Sequence, residues 1–201
     1  MRTDPAAAIP GGVDLYWLPL GAGGRVVPRC GRAYERLSAH REHRRAQPLF
    51  HSALEVACDG TRYAVEMAPA WGVADPDRGV VREGPVGLRP LGALRIFRYE
   101  VRCWPGGRIP DRDWAVGGPR RLGGAEVARR VLELVPGVPP LTWGRDEVSA
   151  GEMWNSNSLV SWLLASSAVD LTGVAPPLGG RAPGWSAGLA LAAAPAPAGR
   201  G

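Results

Sequence analysis

The side chains best placed for chemistry form a polar run, Asn155-Ser156-Asn157-Ser158, that opens an apolar segment. Leu159, Val160, Leu163 and Leu164 recur at helical spacing, and Ser156 lies three and four residues before the first two, so its hydroxyl shares their inward face. Two roles are open to such a hydroxyl. It can cap the helix by accepting an orphan N–H bond, or it can serve as a nucleophile held at the positive end of a helix dipole.

A second group of ionisable residues lies in LFHSALEVACDGTRYAVEM, residues 49–67, which reads as two strands joined at Asp59-Gly60. A two-residue loop pairs Cys58 with Thr61 and sets Ala53 opposite Glu66 and His51 opposite Ala68. One face then carries Leu54, Val56, Tyr63, Val65 and Met67; the other carries His51, Ala53, Glu55, Ala64 and Glu66. The second face is small enough for a helix to approach closely. Glu66 falls diagonal to His51, roughly 7 Å away between backbones. Either the pair is a hydrogen-bonded structural contact, or it is part of a site.

The remaining elements follow from periodicity. VDLYWLPL, residues 13–20, reads as a strand ended by GAGG, and GRAYERLSAHREHRRA, residues 31–46, as a mostly solvated helix with a thin stripe of Tyr34 and Leu37. Its Arg36, Arg41, Arg44 and Arg45 suit either solvent or an acidic surface. Residues 69–92 read as a long loop with an extended piece at Val80-Val81, and LRIFRYEVRCW, residues 94–104, as a half-buried strand. After a turn-rich stretch to Gly123, AEVARRVLELV, residues 125–135, forms an amphipathic helix that Pro136-Gly137 ends. Trp154, with Trp143 and Trp162 nearby, either lines a cleft or belongs to the core edge.

Composition bounds these readings. The 201 residues suit one domain spanning 13–168, between a disordered arm at 1–12 and a Pro/Ala/Gly-rich tail at 169–201 expected to be largely disordered. All 24 basic residues are Arg, and the net charge of +5 is too modest to demand nucleic acid. No run reaches the roughly 18 apolar residues of a membrane span, and no secretory pattern opens the chain, so a cytoplasmic protein is expected. Cys30, Cys58 and Cys103 lack metal-ligand spacing, and His40 and His43 have no third ligand beside them, so neither a metal nor another cofactor is expected.

In order and motif the chain resembles the circularly permuted papain-like peptidases, above all the PPPDE (desumoylating isopeptidase-like) group. More distantly it resembles the lecithin retinol acyltransferase and NlpC-type families. LFHSALEV is similar to their histidine strand and NSNSLVSWLL to their nucleophile helix, over roughly residues 13–168. The resemblance implies an α+β fold in which a small antiparallel sheet packs on a late apolar helix whose N-terminus faces the strand histidine. It implies a hydrolase or acyl transferase acting on an amide, isopeptide or ester, with His51 as base and Ser156 where the family has cysteine. A serine is far less acidic than a thiol and ordinarily needs a carboxylate behind the imidazole, for which Glu66 is the first candidate and Glu55 the second. Asn155 or Asn157 would assist a backbone N–H in holding an oxyanion. The missing thiol equally fits a catalytically silent papain-like domain that binds a peptide or protein partner. A third alternative, of a different class, is an Arg-rich surface for nucleic acid or an acidic partner.

Overall fold

The computed structural model of the chain describes residues 9–21, 26–70 and 79–195, with the backbone alone over 26–30. Its strands are β1 (Gly12–Pro19), β2 (Phe50–Cys58), β3 (Thr61–Pro69), β4 (Val80–Pro85), β5 (Arg98–Pro105) and β6 (Arg120–Gly124). The helices are α1 (Val26–Arg41), α2 (Ala125–Leu134), α3 (Ser156–Ser166) and α4 (Trp185–Ala193). The fold is α+β.

The Asp59-Gly60 hairpin forms in the expected register: Cys58 faces Thr61 and Leu54 faces Val65. Both loop residues take positive φ, 48° and 76°, as a two-residue turn between twisted strands requires. β1 pairs along the whole of β2 and β5 along β3, giving one six-stranded antiparallel sheet in the order β4-β5-β3-β2-β1-β6. Alternation then sorts the side chains. Val13, Leu15, Leu54, Val56, Val65, Tyr99 and Val101 form one buried face, covered by Ala128 and Val131 of α2 and by Leu159, Val160, Leu163 and Leu164 of α3. Each such side chain, fully removed from water, contributes about 1.5–3 kcal/mol.

The opposite face holds only a small apolar group, Tyr16, Leu18, Ala53, Ala64 and Ile109, beside an ionic layer. The helices therefore pack on the apolar face and not on the small-residue face, where a close approach was expected. Burial of aliphatic area outweighs the mere absence of steric bulk.

Several boundaries differ from expectation. α1 starts at Val26, because Pro28 sits in its first turn where a missing N–H costs nothing. β5 starts at Arg98, after a short 3₁₀ turn at Arg95–Phe97. β6 arises in the stretch read as turns, its glycines pairing with Gly12 and Val13 of β1. β4 extends the expected Val80-Val81 piece, while 71–78 lies outside the described residues.

The largest correction concerns the tail. Residues 169–195, expected to be largely disordered, are ordered and carry α4, which packs on α3. A Cβ at Gly188 would lie 2.1 Å from Ser158 O, so this glycine permits close helix contact. Ser161 Oγ donates to Trp185 O at 2.8 Å across the same interface. The Glu152 carboxylate accepts from the N–H groups of Gly184 (3.0 Å) and Ser186 (2.9 Å), which closes the start of α4. Residues 1–8 of the expected arm, 196–201 of the tail and the Cys30 side chain lie outside the described residues. No helix among the described residues is long and apolar enough to cross a membrane.

Candidate functional site

The start of α3 divides its polar run between two jobs. Asn155 is the N-cap: its Oδ1 accepts from the N–H of Asn157 (2.9 Å) and Ser158 (3.3 Å), and Ser158 Oγ accepts in return from Asn155 N–H (3.1 Å). This is a complete capping box. Ser156 is therefore the first helical residue and not the cap. Its hydroxyl has no hydrogen bond among the described residues. Of the first three N–H groups, those of Asn157 and Ser158 are taken by the cap, which leaves that of Ser156 as the orphan donor.

The two asparagine side-chain amides bond to other parts of the fold. Asn157 Nδ2 donates to Phe50 O (3.0 Å) and Pro183 O (2.9 Å), and its Oδ1 accepts from Ser52 Oγ (2.9 Å). Asn155 Nδ2 donates to Pro183 O at 2.8 Å. Both are buried, so these bonds tie the start of β2 and the turn before α4 to the mouth of α3. With both of its side-chain N–H groups taken, Asn157 has no side-chain donor left for an oxyanion, whereas Asn155 Nδ2 spends one of its two N–H groups on Pro183 O. Gly184 completes the knot: its φ is 91°, and a Cβ there would lie 2.4 Å from Asn155 Oδ1.

His51 is the second residue of β2, opposite Leu18 of β1. It lines, with Ser156, a cavity of about 220 Å³ whose walls include Leu20, Tyr34, Leu49, Phe50, Trp143, Met153 and Pro183. Histidine strand and serine helix thus meet at one cavity. Burial alone pulls the half-buried imidazole down from 6.5 to about 4, so the ring is neutral at pH 7. It makes no hydrogen bond or ion pair among the described residues.

The expected carboxylate is not behind it. Glu66 faces Arg102 of β5 and binds its guanidinium at 3.1 Å. Glu55, 2% exposed, accepts from Tyr16 Oη (3.0 Å) and Arg62 (3.2 Å), with Arg112 at 3.4 Å. Neither lines the cavity. The diagonal His51–Glu66 contact presumed that β2 and β3 stay paired, yet their ladder ends at Leu54 and Val65. Beyond it Phe50 N–H donates to Arg181 O at 2.8 Å, so the start of β2 is held by the segment before α4.

Trp154 is a core residue, 1% exposed, and Trp143 takes the wall position instead. Trp162 packs part-buried against the core. Of the arginines expected on the 31–46 helix, Arg44 lies just past the end of α1 and pairs with Glu35 and Glu42, which removes it from any external basic patch. Leu20, Gly31, Met153 and Pro183 were not anticipated at the site; Pro183 and Gly184, a turn pair in the supposed tail, were the available signal.

Neither thiol of described placement supplies a substitute nucleophile: Cys58 and Cys103 lie on the sheet, and burial pushes Cys103 up to about 11. Among the described residues no group of His, Cys, Asp and Glu could hold a metal ion. What remains is an apolar cavity lined by the hydroxyl-bearing Ser156 and Tyr34 and by the neutral imidazole of His51, with the orphan Ser156 N–H at the positive end of a helix. That set suits an uncharged, carbonyl-bearing group. Comparison of the chain with known protein families, curated proteins and solved structures finds no match.

Proposed function

We propose that this protein is a permuted papain-like domain that binds a peptide in the His51–Ser156 cavity without turning it over. The supporting observation is that the Ser156 hydroxyl and the His51 imidazole line one apolar cavity and neither has a partner among the described residues. Buried polar groups are nearly always bonded, so groups left open at a cavity favour a ligand that bonds them. A peptide carbonyl accepting from Ser156 would do so, while its side chain meets Leu20, Phe50 and Trp143.

Turnover has weaker support. A general base works best with a pKa near the working pH, and His51 lies near 4 with Glu66 and Glu55 both held by arginines. The imidazolium formed on attack would be buried and uncompensated. Titration with acetyl-leucyl-leucinamide, followed by Trp fluorescence, is expected to saturate in the wild type and to weaken at least about threefold in Ser156→Ala, the loss of one neutral hydrogen bond. No saturable change in the wild type refutes the reading.

A hydrolase or acyl transferase is the second reading, favoured by the free Ser156 hydroxyl beside an orphan N–H and a neutral imidazole. There Ser156 Oγ bonds to the carbonyl carbon, its proton passes to His51 and then to the departing amine or alcohol, and water releases the acyl group. Covalent labelling by a fluorophosphonate probe in the wild type but not in Ser156→Ala would establish it over the silent domain.

A further inference from the structure

A second cavity, of about 260 Å³, adjoins the first and shares Leu20, Gly31 and Leu49 with it. Gly31 matters at this junction, since a Cβ there would lie 2.3 Å from Leu20 Cδ2 and crowd the passage. The second cavity is also lined by Arg32 and Arg36, four residues apart and therefore on one face of α1. Neither has an ion pair or hydrogen bond among the described residues, and both are exposed. Among the described residues the one carboxylate on that wall, Glu35, is already answered: it binds Arg44 and Arg181 and accepts from Gln47 N–H at 2.9 Å. Glu42, the other nearby acid, is held by Arg44 and Arg181 as well. Two guanidinium groups without a partner among the described residues therefore line the second cavity, next to the apolar one.

We infer that the bound peptide ends there, its last apolar side chain in the first cavity and its free C-terminal carboxylate on Arg32 and Arg36. This rests on the peptide-binding reading and names the part of the peptide that is read. A guanidinium fork matches a carboxylate in geometry and charge. The Ser156 N–H and hydroxyl call for a carbonyl in addition to the anion, which a peptide has and a simple fatty acid lacks.

Isothermal titration of the full chain with three probes tests this: acetyl-leucyl-leucine as the free acid, its C-terminal amide, and octanoate. The acid is expected to bind about tenfold more tightly than the amide, two partly exposed charge pairs' worth. In R32Q/R36Q that advantage should fall below about twofold, with the amide's affinity unchanged, because both arginines are exposed and carry no packing. Equal binding of acid and amide by the wild type overturns the inference while leaving the peptide site standing, and so does an acid preference that survives in R32Q/R36Q. Octanoate binding as tightly as the acid replaces the peptide by a fatty acid. If neither peptide probe binds, the peptide site itself falls.

Discussion

Two polar regions of this molecule are built in opposite ways. On the ionic face of the sheet, Glu55, Glu66 and Glu100 each stand within ion-pair distance of an arginine. Arg102 alone bridges Glu66 and Glu100 at 3.1 and 2.7 Å, and Arg95 reaches Glu100 at 3.2 Å. At the mouth of α3, Asn155, Asn157 and Ser158 are bonded within the fold, yet the side chains of His51 and Ser156 beside them have no partner among the described residues. On the ionic face the charge of each of these carboxylates is met by an arginine within the fold, although Glu55 Oε1 makes no hydrogen bond among the described residues. An open pair at a cavity is where a ligand completes the bonding, and that difference locates function.

The comparison breaks most visibly if a closed group is opened. Asn157→Ala removes three buried hydrogen bonds and strands Phe50 O and Ser52 Oγ, while Pro183 O keeps its bond from Asn155, so a loss of about 3 kcal/mol is expected in urea unfolding. Acid should act next. The folded His51 refuses a proton that the unfolded chain accepts, so its contribution is full above pH 6.5 and is lost as pH falls toward 4, about 3 kcal/mol in all. In His51→Gln this part of the stability–pH slope should vanish. Glu152→Ala opens the α4 cap and should cost about 1 kcal/mol, with faster hydrogen exchange concentrated in Trp185–Ala193. Ser156→Ala should change stability by less than about 0.5 kcal/mol, because nothing among the described residues bonds its hydroxyl. A cost near that of Asn157→Ala would mean the hydroxyl is structural after all.

What was legible in the sequence is what local rules decide. Asp59-Gly60 sets a register, alternation sets which face is apolar, and the 3.6-residue period finds α2 and α3. Ser156 was visible as a candidate but its job was not, since any of four adjacent polar residues can cap a helix and only the fold gives the task to Asn155. Glu66 was misassigned because strand register fixes a backbone spacing but not the competition for the carboxylate. Arg102, brought opposite by β5, wins that competition over a buried imidazole. The tail misled because Ala, Gly and Pro read as low complexity. Here Gly188 is the close contact and Pro183 the carbonyl on which both asparagines converge.

The most direct measurement is the NMR titration of the His51 ring at several pH values, with and without acetyl-leucyl-leucinamide. A ring neutral from pH 8 down to about 5, whose resonances shift saturably as the peptide is added, is the predicted result. A ring that titrates near its ordinary 6.5, or one whose resonances ignore the peptide at saturating concentration, would contradict the claim that His51 and Ser156 form an open, ligand-binding pair.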